Sequence, residues 1–217
     1  AIESIHVPFH EKVQSGNRVH AEIVHHADLV HKCYIAVTLP EQNTEPITLS
    51  SMIDTIELEI GEQIIEIHQG EFLDIWYQLI TPFDKKEGFK EMTQKGHIYI
   101  PLLFFFCNKA SLSLPLIALQ HTKVRIWVQF KKVIKHATLW VDYVYLDNEE
   151  RNMIAESVHD MMVTHVEYKE SRSNKMDLQF KNACKELIWK TNVPYDTATI
   201  MLNNHERIVP RKMDYFQ

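Results

Sequence analysis

This 217-residue chain is short of several things that common functions require. It has five glycines, which leaves no room for a glycine-rich phosphate loop, and no serine nucleophile elbow or Cys-His signature occurs. Its three cysteines, Cys33, Cys107 and Cys184, are odd in number and far apart. That excludes a disulfide framework read from spacing, and no close pair suggests a zinc site. Each is flanked by apolar or strand-like sequence and is expected as a buried free thiol, which fits a reducing compartment such as the cytosol. Concentrated positive charge is lacking: the net charge is −6 and no basic cluster is longer than the pair Lys131-Lys132. Binding nucleic acid through its phosphates needs a basic face, so no direct nucleic-acid partner is expected. The longest apolar run, 98–107, contains Pro101 and is half the length of a membrane-spanning helix. The first residue is Ala1, with no signal pattern behind it, which reads as a processed chain or a fragment.

What is present is an ordinary globular balance, 45% hydrophobic and 24% charged, arranged mostly with period two. Segments 1–9 and 18–24 alternate partly around the turn Gln14-Ser15-Gly16-Asn17, and 29–39 is a third strand ended by Pro40. Residues 41–46 read as a loop. In 55–67, Ile56, Leu58 and Ile60 alternate with Glu57 and Glu59, and Gly61-Glu62 offers a two-residue type II′ turn. The return strand is expected to place Ile65 and Ile67 on one face and Glu66 on the other.

The period then changes. Phe72, Ile75, Trp76, Leu79 and Ile80 form one helical stripe that Pro82 stops, and a weaker helical piece follows at 85–92. Segments 98–106 and 114–119 are apolar, short and proline-bearing, which suits buried or edge strands. Segments 124–130 and 138–146 are further strands. Asp147 caps a short helix with Glu150 as reciprocal partner, and Met153, Ile154 and Val158 are its expected core-facing side chains. Beyond it 163–168, 176–180, 187–189 and 197–202 are short strand candidates, and 169–175 is polar enough for a linker. About ten strands with two or three helices between them predict a β-sandwich, for which a jelly roll is one solution.

Residue chemistry adds no site. Thirteen histidines invite a metal, yet no His-x-His occurs. His20, His25, His26 and His31 crowd one region without same-face spacing, and only folding could bring His68, His97 or His121 to them. These histidines are expected as solvated or core-edge groups. The pairing of Asp147 with Glu150, beside Glu149, is accounted for by capping at a helix N-terminus. Trp76, Trp127, Trp140 and Trp189 lie within apolar patterns and are expected in the core; surface tryptophans would instead favour a sugar-binding reading. No catalytic, cofactor-binding or metal-binding residue is assigned, and no cofactor is expected.

Eight segments resemble, in order, the major capsid proteins of nucleocytoplasmic large eukaryotic DNA viruses, the chlorovirus and iridovirus type with a double jelly roll. They are Ala1-Ile2-Glu3-Ser4-Ile5, Ala27-Asp28-Leu29-Val30-His31, and the hairpin from Ile56-Glu57-Leu58-Glu59-Ile60-Gly61 to Ile65 with Gly70-Glu71-Phe72-Leu73-Asp74-Ile75-Trp76 after it. Tyr99-Ile100-Pro101-Leu102-Leu103-Phe104-Phe105-Phe106 and Leu114-Pro115-Leu116-Ile117-Ala118-Leu119-Gln120-His121 follow. Leu139-Trp140-Val141-Asp142-Tyr143-Val144-Tyr145-Leu146-Asp147-Asn148-Glu149-Glu150-Arg151 then leads to Phe180-Lys181-Asn182-Ala183-Cys184-Lys185-Glu186-Leu187-Ile188-Trp189 and Leu202-Asn203-Asn204-His205-Glu206-Arg207. Departures are Ala27 for a usual Gly, Glu62 for a second Gly, and Ala183-Cys184 for a usual His-Pro.

The resemblance implies a mainly β fold, a first jelly roll at 1–168, a linker at 169–175 and a beginning or shortened second roll at 176–217. It implies a non-enzymatic shell subunit, located in the virion and assembled in the host cytoplasm. Its partners would be two more copies of itself in a pseudo-hexagonal homotrimeric capsomer, neighbouring capsomers and minor capsid proteins. The rival reading is a stand-alone carbohydrate-binding or cupin-like metal-binding sandwich.

Overall fold

The computed structural model describes residues 1–40, 48–88, 91 and 97–216; the loop expected at 41–46 lies outside the described residues, as does part of the helical piece expected at 85–92. Two compact units result, Ala1–Val166 and Glu167–Gln217.

In the first unit the alternating segments become β1 (Ile2–Pro8), β2 (Arg18–Ile23), β3 (Leu29–Thr38), β4 (Ile53–Ile60), β5 (Gln63–Gln69), β6 (His97–Pro101), β8 (Val124–Phe130) and β9 (His136–Val144), with a two-residue β7 (Leu114–Pro115) against β3. They form two antiparallel sheets, β1-β9-β3-β6 and β2-β8-β4-β5. Among the eight long strands the first pairs with the last, β2 with β8, β3 with β6 and β4 with β5. Nested pairing of that kind, split over two sheets, is a jelly roll.

Strand β8 shows why the sheets face each other. Val124, Ile126, Val128 and Phe130 are buried and the residues between them are not. Ile126 lies opposite Ala21 on one side and Leu58 on the other, both buried. Across the sandwich, Cys33, Ile35, Val37, Leu139, Val141, Tyr143, Ile98 and Ile100 close the core. Each fully buried aliphatic side chain contributes about 2–3 kcal/mol.

The β4–β5 hairpin departs from its expected form in two ways. Gly61 and Glu62 both have positive φ, +59° and +65°, so the turn is type I′ and not II′. A bulge at Ile65 then sets Leu58 opposite Glu66 while Glu59 stays opposite Ile64. The extra residue inverts the alternation of β5. Glu66 and His68 therefore point inward, each 2% exposed, whereas Ile64 and Ile67 are at the surface. The Glu66 carboxylate accepts from the Phe105 N–H at 3.0 Å and lies 3.4 Å from His68 Nε2, and His68 stacks on Phe104. His68 is thus a core histidine, not a solvated one.

The apolar segments expected as strands are only partly so. Residues 97–101 pair with β3, but Phe105–Cys107 and Leu116–Leu119 are 3-10 turns, because Phe104 to Phe106 bury their rings by winding and not by pleating. After β9, Asp147 accepts from the Glu150 N–H at 2.8 Å and starts α3 (Asn148–Glu156). The stripe expected on α3 is not buried: Met153 is 63% and Val158 92% exposed. What docks this helix is polar. Arg151 clasps Asp28 through Nε and Nη2, at 2.9 and 3.2 Å, and the Leu146 N–H also donates to Asp28. Burial alone would push the Asp28 carboxyl up, but Arg151 and the Leu146 N–H hold it below the usual carboxylate value.

The second unit has one hairpin, β10 (Thr197–Leu202) with β11 (His205–Lys212), turning through Asn203 and Asn204 at positive φ. The strands expected at 163–168, 176–180 and 187–189 are irregular chain, and β11 extends well past the expected turn. Trp189 packs edge-on against Phe216 and donates to the Tyr195 hydroxyl at 3.2 Å. Every described residue from 167 onward is exposed or half-buried.

Candidate interaction surface

The helical stripe read from the sequence is real, but it lies along the flank of the helix and runs outward instead of facing the core squarely. In α2 (Gly70–Ile80) the side chains turned to the core are Leu73 and Tyr77, together with Gly70. Three local constraints select that face. A Cβ on Gly70 would meet the Ile53 carbonyl at 2.2 Å, so only glycine lets the helix start against β4. Asp74 accepts from the Leu49 and Ser50 N–H groups at 2.8 and 3.0 Å, neutralising the exposed donors of the short helix α1 (Leu49–Met52). The Tyr77 hydroxyl donates to the Pro101 carbonyl, and burial pushes that phenol well above its ordinary value.

With Gly70, Leu73, Asp74 and Tyr77 committed, Phe72, Ile75, Trp76 and Leu79 fall on the flank and the outside. Phe72 stacks on Trp76 with ring centroids 5.7 Å apart, and both remain half-buried. The ridge continues outward through Leu79 at 63%, Ile80 at 44% and Phe83 at 90% exposure. A run of large apolar side chains ending in a nearly bare phenylalanine is an exposed apolar feature of the kind that interaction surfaces carry.

The outer sheet faces differ from it. On β2-β8-β4, Arg18 pairs with Glu57 at 2.5 Å and lies over the Trp127 ring at 4.0 Å. Arg125 bridges Glu22 and Glu59, and the Trp127 Nε1–H donates to Glu59 at 2.8 Å. Burial alone would raise Glu22, but Arg125 and Lys123 hold it low, and Glu59 beside Arg125 pushes the guanidinium up. On the β1-β9-β3-β6 face, Trp140 lies between His6 and Tyr34, with its ring parallel to that of Tyr34 at 6.0 Å. The expectation of core tryptophans is therefore corrected. Trp127 and Trp140 sit on outer faces, Trp76 flanks a ridge and Trp189 is 37% exposed. Alternation places Trp127 and Trp140 there, since each lies between two buried strand neighbours, Ile126 and Val128 for one and Leu139 and Val141 for the other.

The histidines scatter. His20 pairs with Glu11 at 2.7 Å and stacks on His10, His25 reaches the Leu119 carbonyl, His26 meets Tyr143, and His97 meets Thr38. Among the described residues, no group of three or more His, Cys, Asp or Glu is placed to hold a metal. The three thiols also separate: Cys33 is buried, Cys107 half-buried and Cys184 exposed, which corrects the expectation of three buried thiols. Among the described residues, no helix is long and apolar enough to cross a membrane.

Residues 1–147 match the family model described as "Major capsid protein N-terminus". The chain belongs to the major capsid protein family. A major capsid protein of Pyramimonas orientalis virus is 31% identical over 258 aligned positions that take in all of this chain and 65% of that relative. The chain thus spans slightly less than two thirds of that relative's length. Among solved structures, PBCV-1 VP54, fitted into a reconstruction of the virophage Sputnik, is 27% identical with a TM-score of 0.69, covering 76% of this chain and 47% of that one. A quasi-atomic model of the PBCV-1 virus capsid aligns over all of this chain and 72% of its own at a TM-score of 0.81 and 22% identity, a likeness of fold. The named relatives are capsid proteins of large DNA viruses, as the eight quoted segments had implied.

Proposed function

We propose that this protein is a structural subunit of an icosahedral capsid whose action is association and not turnover. The observation that carries the reading is the match of residues 1–147 to the capsid family, on a jelly roll that leaves the α2 ridge uncovered. In this reading residues 1–168 are a first roll standing in the shell, 169–175 link it onward, and 176–217 contribute to a second roll. Three copies form a pseudo-hexagonal capsomer, which meets neighbouring capsomers and minor capsid proteins in the virion after assembly in the host cytoplasm. Interfaces of this permanent kind bury well over about 2,000 Å² and are rich in apolar side chains. Phe83, Leu79 and Ile80 have that character.

The test is the solution mass of the full-length protein by light scattering. A trimer that persists on dilution is expected. A monomer carrying bound sugar, or one whose thermal midpoint falls on chelation, would favour the rival reading of a stand-alone binding module.

A further inference from the structure

Strand β5 breaks the hydrophobic rule on both of its faces. Glu66 and His68 are buried, while Ile64 and Ile67 are 48% and 38% exposed. The cause is the place of one extra residue, Ile65, between the pairs Glu59–Ile64 and Leu58–Glu66. Taken up at the end of the strand instead, that extra residue would let Leu58 face Ile65, Glu57 face Glu66 and Ile56 face Ile67. Ile65 and Ile67 would then point inward, with Glu66 and His68 outward, the pattern expected from the sequence. The change is confined to one pairing, because β5 is the edge of its sheet and among the described residues pairs with β4 alone. At the strand end, the buried side-chain oxygen of Gln69 has no hydrogen-bond partner among the described residues, so no polar contact pins it. Gly70, set close against the Ile53 carbonyl, keeps the start of α2 in place whichever way β5 pairs.

We propose that β5 has two registers, and that the buried Glu66–His68 pair selects the one in which Ile64 and Ile67 face outward. Migration of the bulge from Ile65 to Gln69 turns an apolar outer strand into a charged one. Three contacts hold the observed register. The Glu66 carboxylate accepts from the Phe105 N–H at 3.0 Å and lies 3.4 Å from His68 Nε2. The His68 ring packs on Phe104 and Phe72, with centroids 5.3 and 5.2 Å apart. Moved outward, Glu66 would stand opposite Glu57, a like charge, and the Phe105 N–H would lose its acceptor. Against these stand two isoleucines left in solvent and two polar side chains kept from it. Such opposed local preferences bring two arrangements of one strand close in free energy. A buried polar pair adds little net stability, and its effect here is to choose between them.

The experiment compares the full chain with its Glu66→Lys variant. In the observed register the new ammonium is buried; in the other it stands outward opposite Glu57. The expected result is a folded variant with its thermal midpoint within about 5 °C of the parent's, against a fall of roughly 10 °C or more if an unpaired ammonium stayed buried. His68, shielded from diethyl pyrocarbonate in the parent, becomes modified in the variant as fast as the exposed His121. Buried Cys33 stays shielded from alkylation and the amides of 53–69 stay slow to exchange in both proteins, because the strand has moved and not melted. A variant that unfolds, that loses exchange protection across 53–69, or that stays folded with His68 shielded would overturn the proposal.

Discussion

Phe105 is 5% exposed, its ring set edge-on to Phe106 and its N–H spent on the Glu66 carboxylate. Truncation to alanine removes a large buried ring and is expected to cost about 3–5 kcal/mol in chemical denaturation. Trp140 is different. It lies on an outer sheet face beside Tyr34 and His6, so Trp140→Ala is expected to cost only about 1–2 kcal/mol. Equal losses at the two positions would contradict this placement. Asp28 is 7% exposed and joins β3 to α3 through Arg151. Asp28→Asn is expected to cost about 2 kcal/mol near neutral pH. Because the folded-state value is depressed, that stabilisation is present above the unfolded value of 3.8 and is lost as pH falls through the folded one. The wild-type and variant curves should therefore converge only below about pH 4. Strand alternation made residues such as Ile126 and Leu58 legible as core from sequence alone. Glu66 and His68 were not legible, because their inward turn depends on a bulge that only pairing with β4 creates.

Elements were legible in existence more than in orientation. The β4–β5 hairpin, α2 and the capped α3 all stand where periodicity and capping residues put them. The faces of both helices did not follow from hydrophobicity, because local anchors chose them: the Asp74 carboxylate and the close backbone approach at Gly70 for α2, Arg151 for α3. The turn type was missed for a related reason. Glu62 takes φ +65°, a conformation a non-glycine residue adopts at a cost, and nothing in its identity announces that. Glu62→Gly is expected to stabilise the first unit by about 0.5–1 kcal/mol, read as a higher thermal midpoint, since relief of the left-handed strain outweighs the added chain entropy. An unchanged or lower midpoint would show that the turn is not type I′.

At the scale of the molecule the two units differ in what holds them. The first has a two-sheet core; the second has a single hairpin, and all its described residues are exposed or half-buried. A two-stranded hairpin is marginal by itself. Limited proteolysis of this chain is expected to cut within 167–196 well before any site within β2, β3, β8 or β9, and early cleavage inside one of those strands would contradict the stability order. Sequence pattern reached the β-sandwich, and the ordered segments reached the family; neither could show that the apolar ridge faces outward. That ridge bears most directly on whether the protein works by association. The decisive measurement is the solution mass of the full-length protein compared with its Phe83→Asp, Leu79→Asp variant, both checked for an unchanged thermal midpoint. A persistent trimer that the double variant dissociates without unfolding is predicted. A full-length protein that stays monomeric at every concentration would contradict the account.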